Sequence, residues 1–317
     1  MPHTRLVADV GGTNTRIGIY DADINDFRSV TGYSNNEYGN LEEVIEQWLG
    51  DLEEAPPQQA CIAAAAPPSG DRVQMINIGW GFSCSELATR FGFSQFLWLN
   101  DFQANAHALP YLGSGELEGV QAGETNDELP LAVVGPGTGL GGASLRQVNG
   151  IAVASDAEPG HAGLSPGNEL ELAIFQHLLP QYGNIYTELF VCGAGLARLY
   201  QTIAQINGQP VEDLTPAQVS ERALAGSDSH CVTALETFCA LLGSCCGDFV
   251  LSNGAYGGLF IAGGIVPRIT PYLRESAFLE RFRAKGAMQE FLSRVPVQII
   301  TAPHPGLVGA AHAPIQE

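Results

Sequence analysis

Short apolar runs that end in glycine or polar turns alternate with amphipathic stretches along the first hundred residues. Residues 6–10 are apolar except for Asp9, residues 11–14 form a glycine turn, and residues 15–20 alternate apolar and polar side chains. This order predicts a strand, a tight turn and a second strand. Further strands are predicted at 61–66 and 96–99, and helices are predicted to begin at Asn40, Ser83 and Asn100-Asp101.

The second half of the chain begins with the same pattern. Residues 131–134 form an apolar run, residues 135–142 form a glycine-rich turn, and Asn149-Gly150 stands between two further runs, which predicts a hairpin. Two such glycine hairpins, each opening a mixed α/β half, indicate two related domains that face a shared cleft. The other predicted elements are helices at 168–179, from Thr215-Pro216, at 228–251, at 271–283 and at 307–312, and strands at 259–262 and 297–301.

The composition narrows the class of protein. The 317 residues are 45% hydrophobic and 15% charged, which is enough apolar material for two domains with buried cores. Because 34 acidic residues oppose 14 basic ones, the net charge is −20, and nucleic-acid or anionic membrane partners are not expected. The chain has neither an uncharged apolar run of membrane-spanning length nor a signal-peptide pattern, so a soluble cytoplasmic protein is expected. Seven cysteines without a C-x-x-C pair predict neither a structural metal nor a disulfide framework.

The turn after the first strand has the chemistry of a phosphate-binding site. Gly11, Gly12 and Thr13 would present successive backbone N–H groups and a hydroxyl at the end of a buried strand. Asp9 on that strand would hold Mg²⁺ through water, since Mg²⁺ prefers carboxylate oxygens and keeps several of its waters. An ordinary hairpin turn beside a polar residue shows the same short pattern, so both interpretations stay open for this segment alone.

The second glycine turn matches a dinucleotide-binding loop but lacks its context. Gly137, Gly139 and Gly142 satisfy G-x-G-x-x-G after a strand. That fingerprint requires a helix to follow, whereas the next residues alternate and predict a hairpin, so a Rossmann domain is rejected. Walker A loops and protein kinases both need a lysine at a defined place. Lys285 is the only lysine in the sequence and does not stand at either place, so both classes are excluded. If the chain binds ATP, it does so without a lysine on the phosphates, and two glycine hairpins fit that requirement.

Polar residues at a strand end and on a later turn are candidate catalytic and sugar-binding groups. Asn100-Asp101 lies where a strand ends and a helix begins, a position where ligands collect in α/β sheets and a carboxylate can accept a proton. Helix capping is the alternative role for this pair. Glu158, His161 and Glu188 are suited to polyols, whose hydroxyls both donate and accept hydrogen bonds. The alternative is a loop histidine paired with a glutamate, and a metal site would need a third ligand.

With these segments in hand, the chain resembles the bacterial glucokinases, in the superfamily that also holds hexokinase, actin and the heat-shock chaperone ATPases. The likeness covers nearly the whole length, and residues 162–180 contain no cysteine, which is typical of the zinc-free glucokinases rather than the ROK-type sugar kinases. Five motifs stand in family order: Ala8-Asp9-Val10-Gly11-Gly12-Thr13-Asn14, Leu99-Asn100-Asp101-Phe102, Gly137-Thr138-Gly139-Leu140-Gly141, Glu158-Pro159-Gly160-His161 and Phe260-Ile261-Ala262-Gly263-Gly264-Ile265-Val266-Pro267-Arg268.

The resemblance implies an α/β protein with the two-domain actin-like ATPase (ribonuclease H-like) fold, in which a cleft separates a small domain (1–111 plus 302–317) from a larger one (112–301). It implies ATP- and Mg²⁺-dependent phosphorylation of D-glucose to glucose 6-phosphate, the entry step of glycolysis, by a homodimer. Asp101 would be the general base for the 6-hydroxyl. The implied sugar ligands are Asn100, Asp101, Glu158, His161 and Glu188, and the implied nucleotide-binding residues are Ala8, Asp9, Val10, Gly11, Gly12, Thr13, Gly137, Thr138, Gly139, Gly263 and Gly264.

Two alternatives stay open from the sequence. A kinase for another hexose, such as fructose or mannose, would use the same turns, and a substrate panel separates it from a glucokinase. A non-catalytic sugar and nucleotide sensor on the same fold is the second, and the intact Asp101 argues against it because a sensor needs no base. ATP is the default phosphoryl donor, and ADP and polyphosphate stay open because they would meet similar hairpins.

Overall fold

The computed structural model describes residues 4–67, 70–123 and 125–315, which fold as a mixed α/β protein. Its strands are β1 Thr4–Val10, β2 Asn14–Asp21, β3 Asp26–Ser34, β4 Gln59–Ala64, β5 Arg72–Gln74, β6 Gly81–Ser83, β7 Gln95–Asn100, β8 Leu117–Gln121, β9 Leu131–Pro136, β10 Leu140–Val148, β11 Ile151–Ala157, β12 Gly258–Ile261 and β13 Val297–Ile300. Its α-helices are α1 Leu41–Asp51, α2 Cys84–Phe91, α3 Asp101–Ala108, α4 Glu169–Tyr182, α5 Gly193–Ile206, α6 Pro216–Leu224, α7 Ser229–Asn253, α8 Val266–Glu275, α9 Phe278–Arg283, α10 Gln289–Leu292 and α11 Pro305–His312.

The chain divides into two compact units. Unit 1 comprises residues 1–113, 145–156 and 302–317, and unit 2 comprises residues 114–144 and 157–301. Strand β10 therefore starts in unit 2 and passes at Leu145 into unit 1, where it is followed by β11. The domain boundaries given by the family resemblance stay a prediction.

Unit 1 is built on a five-stranded sheet with the order β3-β2-β1-β4-β7. Strands β1, β4 and β7 are parallel, and their last residues are in register: Val10 pairs with Ala64, and Ala64 pairs with Asn100. Because the carboxyl ends of parallel strands share one edge, the turn after β1 and the start of α3 lie at the same edge of this sheet. Leu307 and Ala310 of α11 pack with Val7 of β1, so the C-terminal helix belongs to the core of this unit.

Unit 2 is built on neighbouring strands in the order β10-β9-β12-β13-β8, of which β9, β12 and β13 are parallel. Val134 of β9 pairs with Ile261 of β12, so the turns after these two strands also lie at one edge. Helix α7 runs through the core, with Phe238, Leu242 and Cys246 fully buried. Among the described residues, α7 alone is long and apolar enough to cross a membrane, and 83% of its apolar window is buried inside the protein.

Locally encoded helix starts agree with the sequence predictions. Asn40, Ser83 and Asn168 each accept a hydrogen bond from the backbone N–H three residues on, which satisfies a donor that the first helical turn leaves unpaired. The prediction of a single helix at 271–283 is wrong, because two helices cover this region. Helix α8 ends at Glu275 because Ser276 is extended, and the Ser276 hydroxyl accepts from the Phe278 N–H at 3.2 Å at the start of α9.

Candidate active site

The turn between β1 and β2 joins two antiparallel strands, and its role as a phosphate-binding loop stays a prediction. The Gly11 N–H donates to the Asn14 carbonyl oxygen at 3.0 Å, which closes the turn. Gly12 is half-buried and Thr13 is exposed. Ala8 and Val10 are fully buried, and their assignment as nucleotide-binding residues stays a prediction.

Asn35 holds this turn in place, and no motif in the sequence identifies it. It opens a short 3-10 helix, Asn35–Glu37, after β3, and its side chain is buried. Its amide group donates to the Gly11 carbonyl oxygen at 2.9 Å, and its backbone N–H donates to the Thr13 carbonyl oxygen at 2.9 Å. Its side-chain oxygen accepts from the Thr15 hydroxyl at 2.8 Å. The carbonyl oxygens on both sides of Gly12 are thus bonded to one residue.

Asp9 lies on β1 opposite Arg16 of β2. Burial raises the pKa of the Asp9 carboxyl above its ordinary value, and the positive charge of Arg16 lowers it in part. Gly306 in the first turn of α11 lies against this carboxylate, since a Cβ on Gly306 would stand 2.8 Å from Asp9 Oδ2. No group of three or more His, Cys, Asp or Glu residues in the described part of the chain could hold a metal by itself. A single carboxylate fits Mg²⁺, which commonly uses one or two carboxylates together with water and phosphate oxygens.

Asn100 and Asp101 join β7 to α3. Asn100 caps the helix: its side-chain oxygen accepts from the Phe102 N–H at 2.8 Å, and its amide donates to the Ala66 carbonyl oxygen at 2.9 Å. Asp101 is the first residue of α3, is half-buried, and accepts from the Phe102 N–H at 3.1 Å. The capping role considered from the sequence is therefore confirmed for Asn100, and its role as a sugar ligand stays a prediction.

The turn between β9 and β10 is fixed at both of its ends. The Gly137 N–H donates to the Gly139 carbonyl oxygen at 2.8 Å within the turn. The Gly137 carbonyl oxygen accepts from the Gly193 N–H at the start of α5 at 2.9 Å. The Leu140 N–H donates to Glu188 Oε2 at 2.7 Å. This turn is followed by strand β10 rather than a helix, as the rejection of a Rossmann fold requires.

The Glu158-to-His161 turn lies beside the second glycine turn within unit 2. Residues Pro159–His161 form a 3-10 helix in which the His161 N–H donates to the Glu158 carbonyl oxygen at 3.1 Å, and both side chains are exposed. A Cβ on Gly160 would stand 2.7 Å from the Leu140 carbonyl oxygen and 3.2 Å from Glu188 Oε2. Glu188 therefore contacts both turns, although it is far from them in sequence.

The turn after β12 lies against the turn after β9. The Ala262 N–H donates to the Val134 carbonyl oxygen at 2.9 Å. Gly263 has φ of +88°, and a Cβ there would collide with the Pro136 carbonyl oxygen. Glycine is needed at this position on both grounds. In unit 2 the structure thus brings together the predicted groups around 137–139, 158–161, 188 and 263, and in unit 1 it brings together those around 9–13 and 100–101.

Comparisons with known proteins identify the family of the chain. The family model described as glucokinase matches residues 6–317. The chain is 39% identical to the glucokinase of Chromobacterium violaceum over 307 residues, covering 97% of this chain and 88% of that protein. The crystal structure of a glucokinase from an Antarctic psychrotroph superposes with a TM-score of 0.89 at 37% identity and covers 98% of both chains.

More distant sugar kinases share this fold. A ROK family glucokinase from Streptomyces griseus, solved in complex with glucose and AMPPNP, has a TM-score of 0.64 at 19% identity, covering 97% of this chain and 98% of that one. At this identity the likeness concerns the fold, and together with the closer structure it confirms the predicted actin-like ATPase fold class. The chain belongs to the glucokinase family and is a kinase that phosphorylates glucose.

Proposed function

We propose that this chain transfers the γ-phosphoryl group of ATP to the 6-hydroxyl of D-glucose, with Asp101 as the general base. The observation that carries this proposal is the register of β1, β4 and β7. Because Val10 and Asn100 end parallel strands at one edge, the first glycine turn and the Asp101 carboxylate lie at the same edge of the sheet. A phosphate-binding turn and a base at one edge are the parts that phosphoryl transfer to a hydroxyl needs.

Backbone N–H groups are proposed to bind the nucleotide phosphates. Residues 11–13 would hold one part of the phosphate chain, residues 137–139 another, and Gly263-Gly264 would face the adenosine. The fold relative solved with AMPPNP supports a nucleoside triphosphate as the donor. Mg²⁺, held through water by Asp9, would neutralise charge on the phosphate oxygens when bound.

The sugar is proposed to bind through Asn100, Asp101, Glu158, His161 and Glu188. Carboxylates accept hydrogen bonds from hydroxyl groups, and the imidazole can donate one in return. The exposure of Glu158 and His161 supports this role, since both side chains are accessible to a ligand. A sugar that lacks the matching hydroxyl would leave one of these groups unpaired, which is the basis of discrimination.

The chemical step follows from these positions. The Asp101 carboxylate accepts the proton of the sugar 6-hydroxyl as the 6-oxygen forms its bond to the γ-phosphorus. The bond from the γ-phosphorus to its bridging oxygen breaks, and ADP leaves with that electron pair. Most of the rate enhancement would come from positioning and from stabilised phosphate charge, with the base adding about 10²–10⁴-fold.

We also propose how these residues divide between the two domains. The first phosphate turn and the base belong to the small domain (1–111 plus 302–317), and the second turn and the Glu158 turn belong to the larger one (112–301). A cytoplasmic location is the expectation from the sequence pattern, and a homodimer is the expectation from the family resemblance. Size-exclusion chromatography with light scattering measures the second of these.

The test is the Asp101→Asn variant in a coupled assay for glucose 6-phosphate with ATP and Mg²⁺. We expect turnover to fall about 10²-fold or more while glucose binding, followed by calorimetry, is retained in part. Asp51→Asn, at the exposed end of α1, is the matched control and is expected to behave as wild type. Unchanged turnover in Asp101→Asn would reject the base assignment. The same assay run with fructose, mannose and N-acetylglucosamine measures the breadth of hexose specificity.

A further inference from the structure

Glu188 makes a contact that sugar binding does not explain. The family resemblance implies that its carboxylate binds a sugar hydroxyl, yet Oε2 already accepts the Leu140 N–H at 2.7 Å. Leu140 directly follows the second glycine turn. The carboxylate is thus bonded to the backbone directly after the proposed phosphate-binding turn.

Two glycines leave the space that this contact needs. A Cβ on Gly139 would stand 2.5 Å from Glu188 Oε2, and a Cβ on Gly160 would stand 3.2 Å from the same oxygen. Such separations are too short for ordinary packing. The half-buried carboxylate therefore lies between the second glycine turn and the Glu158-to-His161 turn.

The segment that carries Glu188 also holds the other end of the turn. The Gly193 N–H donates to the Gly137 carbonyl oxygen at 2.9 Å. The Cys192 thiol donates to the Glu188 carbonyl oxygen at 3.1 Å, which ties the two contact points of this segment together. Since the Gly137 and Leu140 N–H groups bond within the protein, phosphate contacts within the turn would fall to Thr138 and Gly139.

We propose that Glu188 is a positioning residue for the phosphate-binding turn 137–139, independently of its contact with the sugar. Its side-chain oxygen accepts the Leu140 N–H and thereby keeps the Thr138 and Gly139 N–H groups in one orientation. A turn already ordered in this way loses less conformational entropy when it binds phosphate. This inference rests on the proposed function, because it takes residues 137–139 as a phosphate site.

The test measures nucleotide binding without sugar. Calorimetric titration of Mg²⁺-AMPPNP into Glu188→Ala, in the absence of glucose, is expected to give a Kd about tenfold or more above wild type. Glu188→Gln keeps an acceptor oxygen for the Leu140 N–H and is expected to recover most of this loss. Glu158→Ala is the matched control, because it removes an exposed carboxylate from the neighbouring turn. It is expected to weaken glucose binding and to leave the sugar-free Kd within about twofold.

A second measurement reports on the turn itself. Hydrogen–deuterium exchange of a peptide that contains Leu140 is expected to be faster in Glu188→Ala than in wild type and close to wild type in Glu188→Gln. Wild-type nucleotide affinity together with lost glucose affinity in Glu188→Ala would overturn the inference and leave Glu188 as a sugar ligand only. Unchanged glucose binding in both alanine variants would instead reject the proposed sugar site, and the sugar-free Kd would still decide the positioning role.

Discussion

The side-chain amide of Asn35 donates a 2.9 Å hydrogen bond to the carbonyl oxygen of Gly11, 24 residues earlier in the chain. The backbone N–H of Asn35 bonds to the Thr13 carbonyl oxygen in the same way. Two carbonyl oxygens of the turn are therefore bonded within the protein rather than directed at a ligand. A buried amide thus orients a loop that the sequence identifies only by its glycines.

Replacing Asn35 is expected to weaken nucleotide binding selectively. In Asn35→Ala the Gly11 carbonyl oxygen loses its donor and Asn35 no longer accepts from Thr15, which costs about 1–3 kcal/mol for buried groups left unpaired. We expect the KM for ATP to rise about tenfold, with the KM for glucose within about twofold of wild type. Steady-state kinetics with each substrate varied in turn measures both constants.

The control for Asn35→Ala is Thr15→Val. It removes the 2.8 Å hydrogen bond to Asn35 and leaves both bonds from Asn35 to the turn in place. We expect it to lower the thermal midpoint and to leave the KM for ATP near wild type. Parallel rises of both KM values in Asn35→Ala would contradict a specific role in nucleotide binding.

The difference between Asn35 and the helix caps shows what the sequence can predict. Asn40, Ser83 and Asn168 act on N–H groups three residues away, so a local pattern identifies them. The side-chain partners of Asn35 lie 20 or more residues away. Asn35 follows β3, a largely exposed edge strand that has no regular alternation and that the sequence does not predict. Its role depends on the pairing of β2 with β3, which no short segment encodes.

Unit 2 likewise contains motifs that the sequence identifies and a contact that only the fold creates. The glycines at 137 and 139 and the Glu158 turn were recognised as motifs, whereas the contact of Glu188 with Leu140 spans 48 residues and depends on the fold. The helix predicted at 271–283 failed for a local reason that a periodic pattern misses. Ser276 is extended and ends α8, and its hydroxyl accepts from the Phe278 N–H where α9 begins, although both flanks favour helix.

Gly160 tests how closely the Glu158-to-His161 turn must pack on β10. In Gly160→Ala the new Cβ would stand 2.7 Å from the Leu140 carbonyl oxygen. This oxygen belongs to the backbone of a strand, which is costly to displace. The turn must move instead, and Glu158 and His161 move with it. We expect the KM for glucose to rise at least about tenfold, since displaced hydrogen-bond acceptors lose about 1 kcal/mol or more each.

Gly163→Ala is the matched control for this variant. Gly163 follows the same turn, and a Cβ there would meet no atom within 4 Å. It is expected to keep the KM for glucose within about twofold of wild type. Equal effects of the two substitutions would mean that backbone flexibility, rather than close packing, is what the glycines provide.

Gly306 tests the contact between α11 and Asp9. A Cβ at this position would stand 2.8 Å from both Cγ and Oδ2 of Asp9, so Gly306→Ala must displace the carboxylate or the helix start. We expect turnover to fall about tenfold or more, and the Mg²⁺ concentration for half-maximal activity to rise, because Asp9 is the proposed Mg²⁺-binding residue. Gly50→Ala, inside α1 with open space around its Cβ, is the control. If Gly306→Ala lowers the stability but leaves the Mg²⁺ dependence unchanged, the contact with Asp9 serves packing and not metal binding.

His107 on α3 makes the stability of unit 1 depend on pH. Burial lowers the pKa of this imidazole from 6.5 to about 4. The unfolded chain therefore binds a proton near pH 6.5 that the folded protein binds only near pH 4. Above pH 6.5 the stability is unaffected by this group, and it falls as the pH drops from 6.5 towards 4. The loss at pH 5 is about 2 kcal/mol.

The His107→Gln variant isolates this contribution from the carboxylates that titrate in the same range. Trp48, Trp80 and Trp98 all lie in unit 1, so urea unfolding followed by tryptophan fluorescence reports on the unit that holds α3. Between pH 7.5 and pH 5, the wild type is expected to lose about 2 kcal/mol more of its free energy of unfolding than the variant. Parallel pH profiles would show that His107 gains a proton as readily in the folded protein as in the unfolded chain. The buried environment of α3 would then not be the cause of any acid sensitivity in this unit.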